Sequence, residues 1–281
     1  MLKYSQSMHK ISTHHKHIDG KIFAWMALIT GFAGGLLFPI FPNFVKSIVE
    51  TDQAVSIFYS VMAVVMLISA SLSTIFFKKF SRTTIVKVGL FVMATSMISF
   101  IFVNRLFELA IFQTLKVWFN MFILIALALF VRDFAKKKDL GKEEGRYYKY
   151  QNIGLFFGPL VGGFLATKLD YEMVFGLAAG IIIFGLAFFY HQHVIQKHPA
   201  IIKKRGTTTT KLVHNIKEFF KNTPRRKAYI ITLAFMSWTS FRRLYIPLFV
   251  VLEGYNDSMS GLILGLSLLP LILLEEKILK K

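Results

Sequence analysis

The sequence predicts an all-α integral membrane protein. Three observations carry that reading. Of the 281 residues, 54% are hydrophobic, with 30 phenylalanines, whereas soluble domains hold about 45–50% apolar residues even with glycine included. The apolar residues gather in runs long enough to cross a bilayer. The cations fall between those runs. A net charge of +19 could mean nucleic acid, but a nucleic-acid footprint needs basic residues sharing one face. Here they form loops at a membrane surface, so the lipid bilayer is the expected partner and nucleic acid is not.

A span needs about 20 mostly apolar residues. Eight runs qualify: 22–41, 55–77, 85–103, 107–131, 150–166, 173–190, 229–252 and 259–274. The fifth and eighth are short. No run is broken by an acid, and Glu108 lies at the margin of the fourth. The loops set the orientation. With the N-terminus in the cytoplasm, the inner loops carry clusters such as Lys78, Lys79, Arg82 and Lys87, while the outer side carries Lys46, Arg105 and Lys168. That asymmetry fits a cytoplasmic N-terminus by the positive-inside rule, and the expected location is the cell membrane. The expected organisation is a cytoplasmic segment (1–21), a six-helix domain (22–190), a cytoplasmic linker (191–228) and an incomplete second domain of two helices (229–281).

The first 21 residues are polar and basic, so the first apolar run reads as a retained anchor rather than a cleaved signal. In the linker, LVHNIKEFF (212–220) is either a surface amphipathic helix or a solvated one. The absence of cysteine excludes disulfides and thiolate sites. HHKH (14–17) and HQHVIQKH (191–198) lack acid or cysteine partners at metal-site spacing and read as solvated tails. Tyr147 and Tyr148 beside Arg146 read as an interfacial anchor.

GLFFGPLVGG (154–163) holds four glycines and a proline. Gly154, Gly158 and Gly162 are four apart and form one helix ridge, where a neighbour can approach backbone to backbone. Gly163 lies beside that ridge. Pro159 frees the carbonyl of Leu155 and permits a kink, which neighbouring helices can satisfy in lipid.

Two passages rhyme. Each joins an apolar span ending near a proline (Pro42, Pro247) to an acidic outer turn (Glu50-Thr51-Asp52; Glu253 to Asp257) and then to another span. Spans seven and eight therefore read as a second copy of spans one and two, as in parallel-repeat transporters. A complete second half would need four further spans, so a truncated chain is the expectation.

Six spans, a linker and a repeated start resemble the major facilitator superfamily. FPIFP (38–42) is similar to the family's proline-bearing exit from span one. KKFSRTTIVK (78–87) occupies the place of its Gly-x-x-x-Asp-Arg-x-Gly-Arg-Arg loop. The match is degraded, with Lys78 at the acid position, Ser81 at the second glycine and Thr74 at the first. Gly154, Gly158, Pro159, Gly162 and Gly163 reproduce the family's span-five motif, commonest among drug and proton antiporters. The resemblance implies a six-helix N-terminal bundle plus the first two helices of a second bundle. It also implies a hinge or seal at the glycine motif and a cytoplasmic gate at Lys79, Arg82, Asp133 and Arg146.

Three cations lie within the spans: Lys116, Arg242 and Arg243. Charge at that depth is costly, which makes function the default reading. Gln113, Lys116 and Asn120 form one stripe on span four. The resemblance puts spans one, four, seven and ten around a central cavity. Gln113, Lys116, Asn120, Arg242 and Arg243 are thus the candidate substrate-binding residues. Arg242 and Arg243 are about 100° apart on the helix, so one of them should face the cavity. Trp118 and Trp238 read as packing or as aromatic walls.

No nucleophile–base pair, phosphate-cradling glycine loop or paired intramembrane carboxylate is present, so an enzyme, a cofactor and a metal are not expected. The leading function is secondary transport of a small solute by alternating access, as a drug or organic-solute exporter or an organic-anion carrier, coupled to a proton or another ion. The full-length form is expected to be monomeric. The alternative is a truncated, non-transporting fragment or interaction partner.

Overall fold

The structure is a computed structural model that describes residues 20–135, 139–191, 218–270 and 272–273. Among these residues it is helical, with no strands. The helices are α1 (Lys21–Leu36), α2 (Phe41–Val49), α3 (Asp52–Lys79), α4 (Arg82–Ser99), α5 (Leu106–Phe134), α6 (Leu140–Lys168), α7 (Tyr171–His191), α8 (Thr223–Leu252) and α9 (Asp257–Leu266). A 3₁₀ turn, Phe100–Phe102, extends α4.

The first apolar run is not one plain helix. α1 and α2 follow one another as a single 29-residue candidate span, Lys21–Val49, broken over residues 37–40. Proline has no N–H and its ring crowds the preceding turn. Just before Pro39 the ladder tightens, with Leu37 N donating to Gly34 O and Phe38 N to Gly35 O. Pro42 then falls in the first turn of α2, where its missing donor costs nothing. The expected loop after Pro42 is therefore helix as far as Val49, and Lys46 belongs to α2. The connection shrinks to Glu50 and Thr51. Glu50 adopts φ 69°, and Lys46 pairs with Asp52 across the turn at 2.8 Å. A non-glycine residue pays about 1–2 kcal/mol in this left-handed region. Glu50→Gly should therefore raise the melting temperature in detergent, by up to about 1 kcal/mol of stability.

Among the described residues, five segments are long and apolar enough to cross a membrane: Lys21–Val49, Asp52–Lys79, Arg82–Phe102, Leu106–Phe134 and Tyr171–His191. α6, α8 and α9 are not among them. α6 opens on the polar run LGKEEGRYYKYQN, α8 carries TPRRK and an internal Arg-Arg, and α9 has ten residues. Their packing accounts for their polarity. α6 lies between α1 and α9, while α4 packs on α5 and α7, and α3 on α5. α8 meets the bundle only through its second half. Nearly every described residue from 218 to 241 is exposed, then Arg242, Leu244, Pro247, Leu248 and Val250 are buried.

Phenylalanine fills the core. Phe23, Phe100, Phe122, Phe130, Phe175 and Phe189 are fully buried. Phe44 meets Phe175 with ring centroids 4.9 Å apart, and Phe100 meets Phe175 at 5.5 Å. Other large apolar side chains, among them Leu67, Phe107 and Phe184, are mostly exposed, as lipid-facing positions of a multi-pass membrane protein should be. One expectation fails here. Tyr147 is a core residue at 3% exposure rather than an interfacial anchor, while Tyr148 is exposed. HHKH (14–17), most of HQHVIQKH and residues 212–217 lie outside the described residues; Glu218, Phe219 and Phe220 are helical.

Candidate functional site

The turns between helices define two ends of the molecule. The basic-loop end holds Lys79, Arg82, Arg132 and Arg146; the turn end holds Glu50, Arg105, Asp170 and Glu253.

Between these ends, the break in the first span organises two cations. Lys116, on α5, donates from Nζ to Gln113 Oε1 at 3.3 Å. The same Nζ stands 4.7 Å from the Phe41 ring centroid and 5.4 Å from that of Phe100. Arg243, on α8, places Cζ 4.1 Å from the centroid of Phe38. One break thus presents a ring to each cation. Contacts of this kind contribute about 0.5–2 kcal/mol, more as water is excluded. Among the described residues neither cation has a carboxylate partner. Arg243 Nε is buried without a hydrogen-bond partner.

The structure separates the adjacent arginines. Arg242 donates to Ser267, the C-cap of α9, and so ties α8 to α9; its Nε, like that of Arg243, is buried without a partner. Adjacent helical positions lie about 100° apart, so the two side chains leave α8 in different directions. Gln113 is buried, and Asn120, further along α5, is half-buried and takes no part in the Lys116 contact. Trp118 packs against the core, and its Nε1 is buried without a partner. Trp238 is 62% exposed and stacks on Phe241. Sequence reasoning missed Phe38, Phe41 and Phe100 as cation platforms. The prolines of FPIFP marked the break, but nothing in the sequence assigned its rings to Lys116, 75 residues after Phe41, and Arg243, 205 residues after Phe38.

The glycine motif forms two seams. A Cβ on Gly154 would stand 2.6 Å from Phe32 N, and one on Gly158 would stand 2.7 Å from Gly35 Cα and from Phe32 O. Gly162 meets the Leu36 carbonyl in the same way. This ridge is where α1 lies. Gly163 faces the other direction, against Asp257 O and Gly261 of α9. Pro159 is inside α6 without ending it, and Gly261 packs against its carbonyl.

The four residues expected to form a gate divide. Arg82 and Asp133 make an ion pair joining the start of α4 to the end of α5. Arg146 instead pairs with Glu143, 3.2 Å away on its own helix, and Lys79 lies over the Phe80 ring at 5.8 Å. Arg132 and Glu144 approach at 3.8 Å between α5 and α6. Glu143 and Glu144 were not singled out in the sequence, because acids in a basic loop carry no spacing signal. A double-mutant cycle on Arg82 and Asp133 should give a coupling of about 0.5–1 kcal/mol, as expected of partly exposed pairs.

Comparison with known proteins agrees with this architecture. Among solved structures, the chain is similar to a mutant peptide transporter POT in complex with alafosfalin, with a TM-score of 0.53 and 16% sequence identity. The match covers 83% of this chain and 49% of that one, so this chain spans about half the length of that transporter. At this identity the likeness shows the fold. Comparison with curated proteins gives no match. A family model described as Major Facilitator Superfamily matches residues 23–275. With a match over nearly its whole length, the chain belongs to the major facilitator superfamily.

Proposed function

We propose that the chain serves secondary transport of a small organic anion by alternating access. The observation that carries the reading is the pair of intramembrane cations, Lys116 and Arg243, held on rings of one helix break and without carboxylate partners among the described residues. Cations kept in apolar surroundings are a standing attraction for an anionic group. An ammonium has three donors, and Gln113 Oε1 takes one of them. The similarity to a peptide transporter supports a solute carrier over an enzyme. In this reading the basic loops lie in the cytoplasm of a cell membrane, residues 22–190 form one bundle, and 229–281 begin a second. Export by antiport, suggested by the span-five motif, is a direction of the same cycle.

The test is flux. The 281-residue chain in proteoliposomes should take up radiolabelled small carboxylates faster than their neutral amides. Equal rates for both, or rates no higher than in empty vesicles, would refute the reading. A second reading, a non-transporting interaction partner, is favoured by the exposed apolar half of α8, including Ile230, Ile231, Leu233 and Trp238.

A further inference from the structure

Asp257 belongs by sequence to an acidic surface turn. In the structure it is the first residue of α9 and is 8% exposed. Its Oδ1 accepts from Asn43 Nδ2 at 2.8 Å, and its Oδ2 accepts from the Tyr171 hydroxyl at 3.1 Å. Asn43 lies in α2 and Tyr171 opens α7. One carboxyl group therefore joins three helices at the turn end, and two of them belong to the six-helix bundle. The other polar bonds of α9 there run to α6. Ser258 N donates to Thr167 Oγ1 at 3.1 Å, and Ser258 Oγ donates to Gly163 O at 3.2 Å. Neither can change charge.

The groups that hydrogen-bond the Asp257 side chain, the Asn43 amide and the Tyr171 hydroxyl, are neutral. At the turn end the charged residues on the packed elements are Lys46 and Glu50 from α2 and its turn, Lys168 from α6, Asp170 and Glu172 at the start of α7, and Glu253 after α8, while Arg242 and Arg243 lie deeper in α8 and the other charges of α6 lie toward its start. The titratable hydroxyls are those of Tyr171 and Tyr255. Among the described residues none of the charged groups pairs with Asp257, and Lys46 is engaged by Asp52. A buried carboxylate without a cation is disfavoured. Burial pushes the Asp257 carboxyl above its ordinary range, while the hydrogen bonds from Asn43 and Tyr171 pull it back down.

We propose that Asp257 is a proton-binding latch: it holds α9 against α2 and α7 at the turn end, and separation of these helices is linked to loss of its proton. When the helices part, Asp257 meets water and returns to the ordinary carboxyl value of about 3.9. The joined state binds the proton more tightly. Joining is therefore fully favoured below the ordinary value and weakens as pH rises through the raised one. Over that window each pH unit changes the joined-to-parted ratio by up to about tenfold. The inference rests on the alternating-access reading, since it requires the turn end to open.

The chain has no cysteine, so two can be introduced cleanly. Ser47→Cys and Tyr255→Cys, both at exposed positions, carry spin labels on the full 281-residue chain in nanodiscs. Double electron–electron resonance reads their separation from about pH 4 to about pH 9, a range spanning ordinary and raised carboxyl values. The short-distance population should dominate at low pH and fall at least several-fold at high pH. In Asp257→Asn it should stay short throughout. In Tyr171→Phe, which removes one donor to the carboxylate, the transition should move to higher pH. A flat profile in the parent chain, or an unchanged slope in Asp257→Asn, overturns the latch. If Asp257→Asn fails to fold, an unmoved Tyr171→Phe profile does so. The readout needs no substrate: absent flux with an intact slope refutes the carrier reading, and intact flux without a slope refutes only the latch.

Discussion

Gly158→Leu is expected to abolish the folded bundle. A Cβ at this position would lie 2.7 Å from Gly35 Cα, 2.7 Å from Phe32 O and 2.8 Å from Gly35 C. All three atoms are backbone atoms of α1, so no rotamer change relieves the clash; the helices must part. Overpacking a core costs about 1–3 kcal/mol where side chains can adjust, and more where they cannot. Native proteins hold about 5–15 kcal/mol in total. The neighbouring glycines 154 and 162 face the same helix, so parting at Gly158 strains the whole seam. Size-exclusion profiles in detergent should show loss of the monodisperse peak, with Gly158→Ala intermediate. Gly176 in α7 is the control, since a Cβ there meets nothing within 4 Å. Gly176→Ala should melt no lower than the parent chain and gain up to about 1 kcal/mol from helix propensity. A Gly158→Leu chain as stable as the parent would disprove the close contact of α1 and α6.

Loss of anion uptake in Lys116→Ala and Arg243→Ala, with folding retained, is the second large effect. A hydrogen bond to a charged group contributes about 1.5–3 kcal/mol, so each variant should lose about ten- to a hundredfold in apparent affinity. Lys116→Arg should keep part of it, because the charge stays over Phe41 and Phe100. Arg242→Ala separates this account from one based on charge alone. Arg242 is bound to Ser267, so its loss should lower thermal stability and leave affinity within about threefold, the normal scatter of such contributions. Uptake lost in Arg242→Ala but kept in Arg243→Ala would reverse the assignment.

The legibility of the site divides along physical lines. Lys116, Arg242 and Arg243 stood out in the sequence because a cation in an apolar run is costly wherever it lies. The glycine ridge stood out because a spacing of four is a property of one helix. Which partner each of the two adjacent arginines meets was not legible, since it depends on how α8 rotates against α2 and α9. Which charges pair at the expected gate was not legible. Arg82 meets Asp133 between two helices, and Arg146 pairs with Glu143 on its own helix. Asp257 was misjudged as a loop acid because burial depends on what the turn packs against.

The family model places the chain in the major facilitator superfamily; the sequence by itself determined a helical membrane protein with its cations gathered between the spans and a close-packing glycine helix. Those properties follow from composition, period and spacing within single segments, and lipid enforces them strongly because no backbone group may go unpaired there. Only the tertiary structure decided the aromatic platforms under Lys116 and Arg243, the division between Arg242 and Arg243, and the burial of Asp257 between Asn43 and Tyr171. Each of these is a contact between residues far apart in the chain. A local pattern sets which face of a helix can pack, but the rotation and depth at which two helices meet are fixed by the summed fit of all their neighbours.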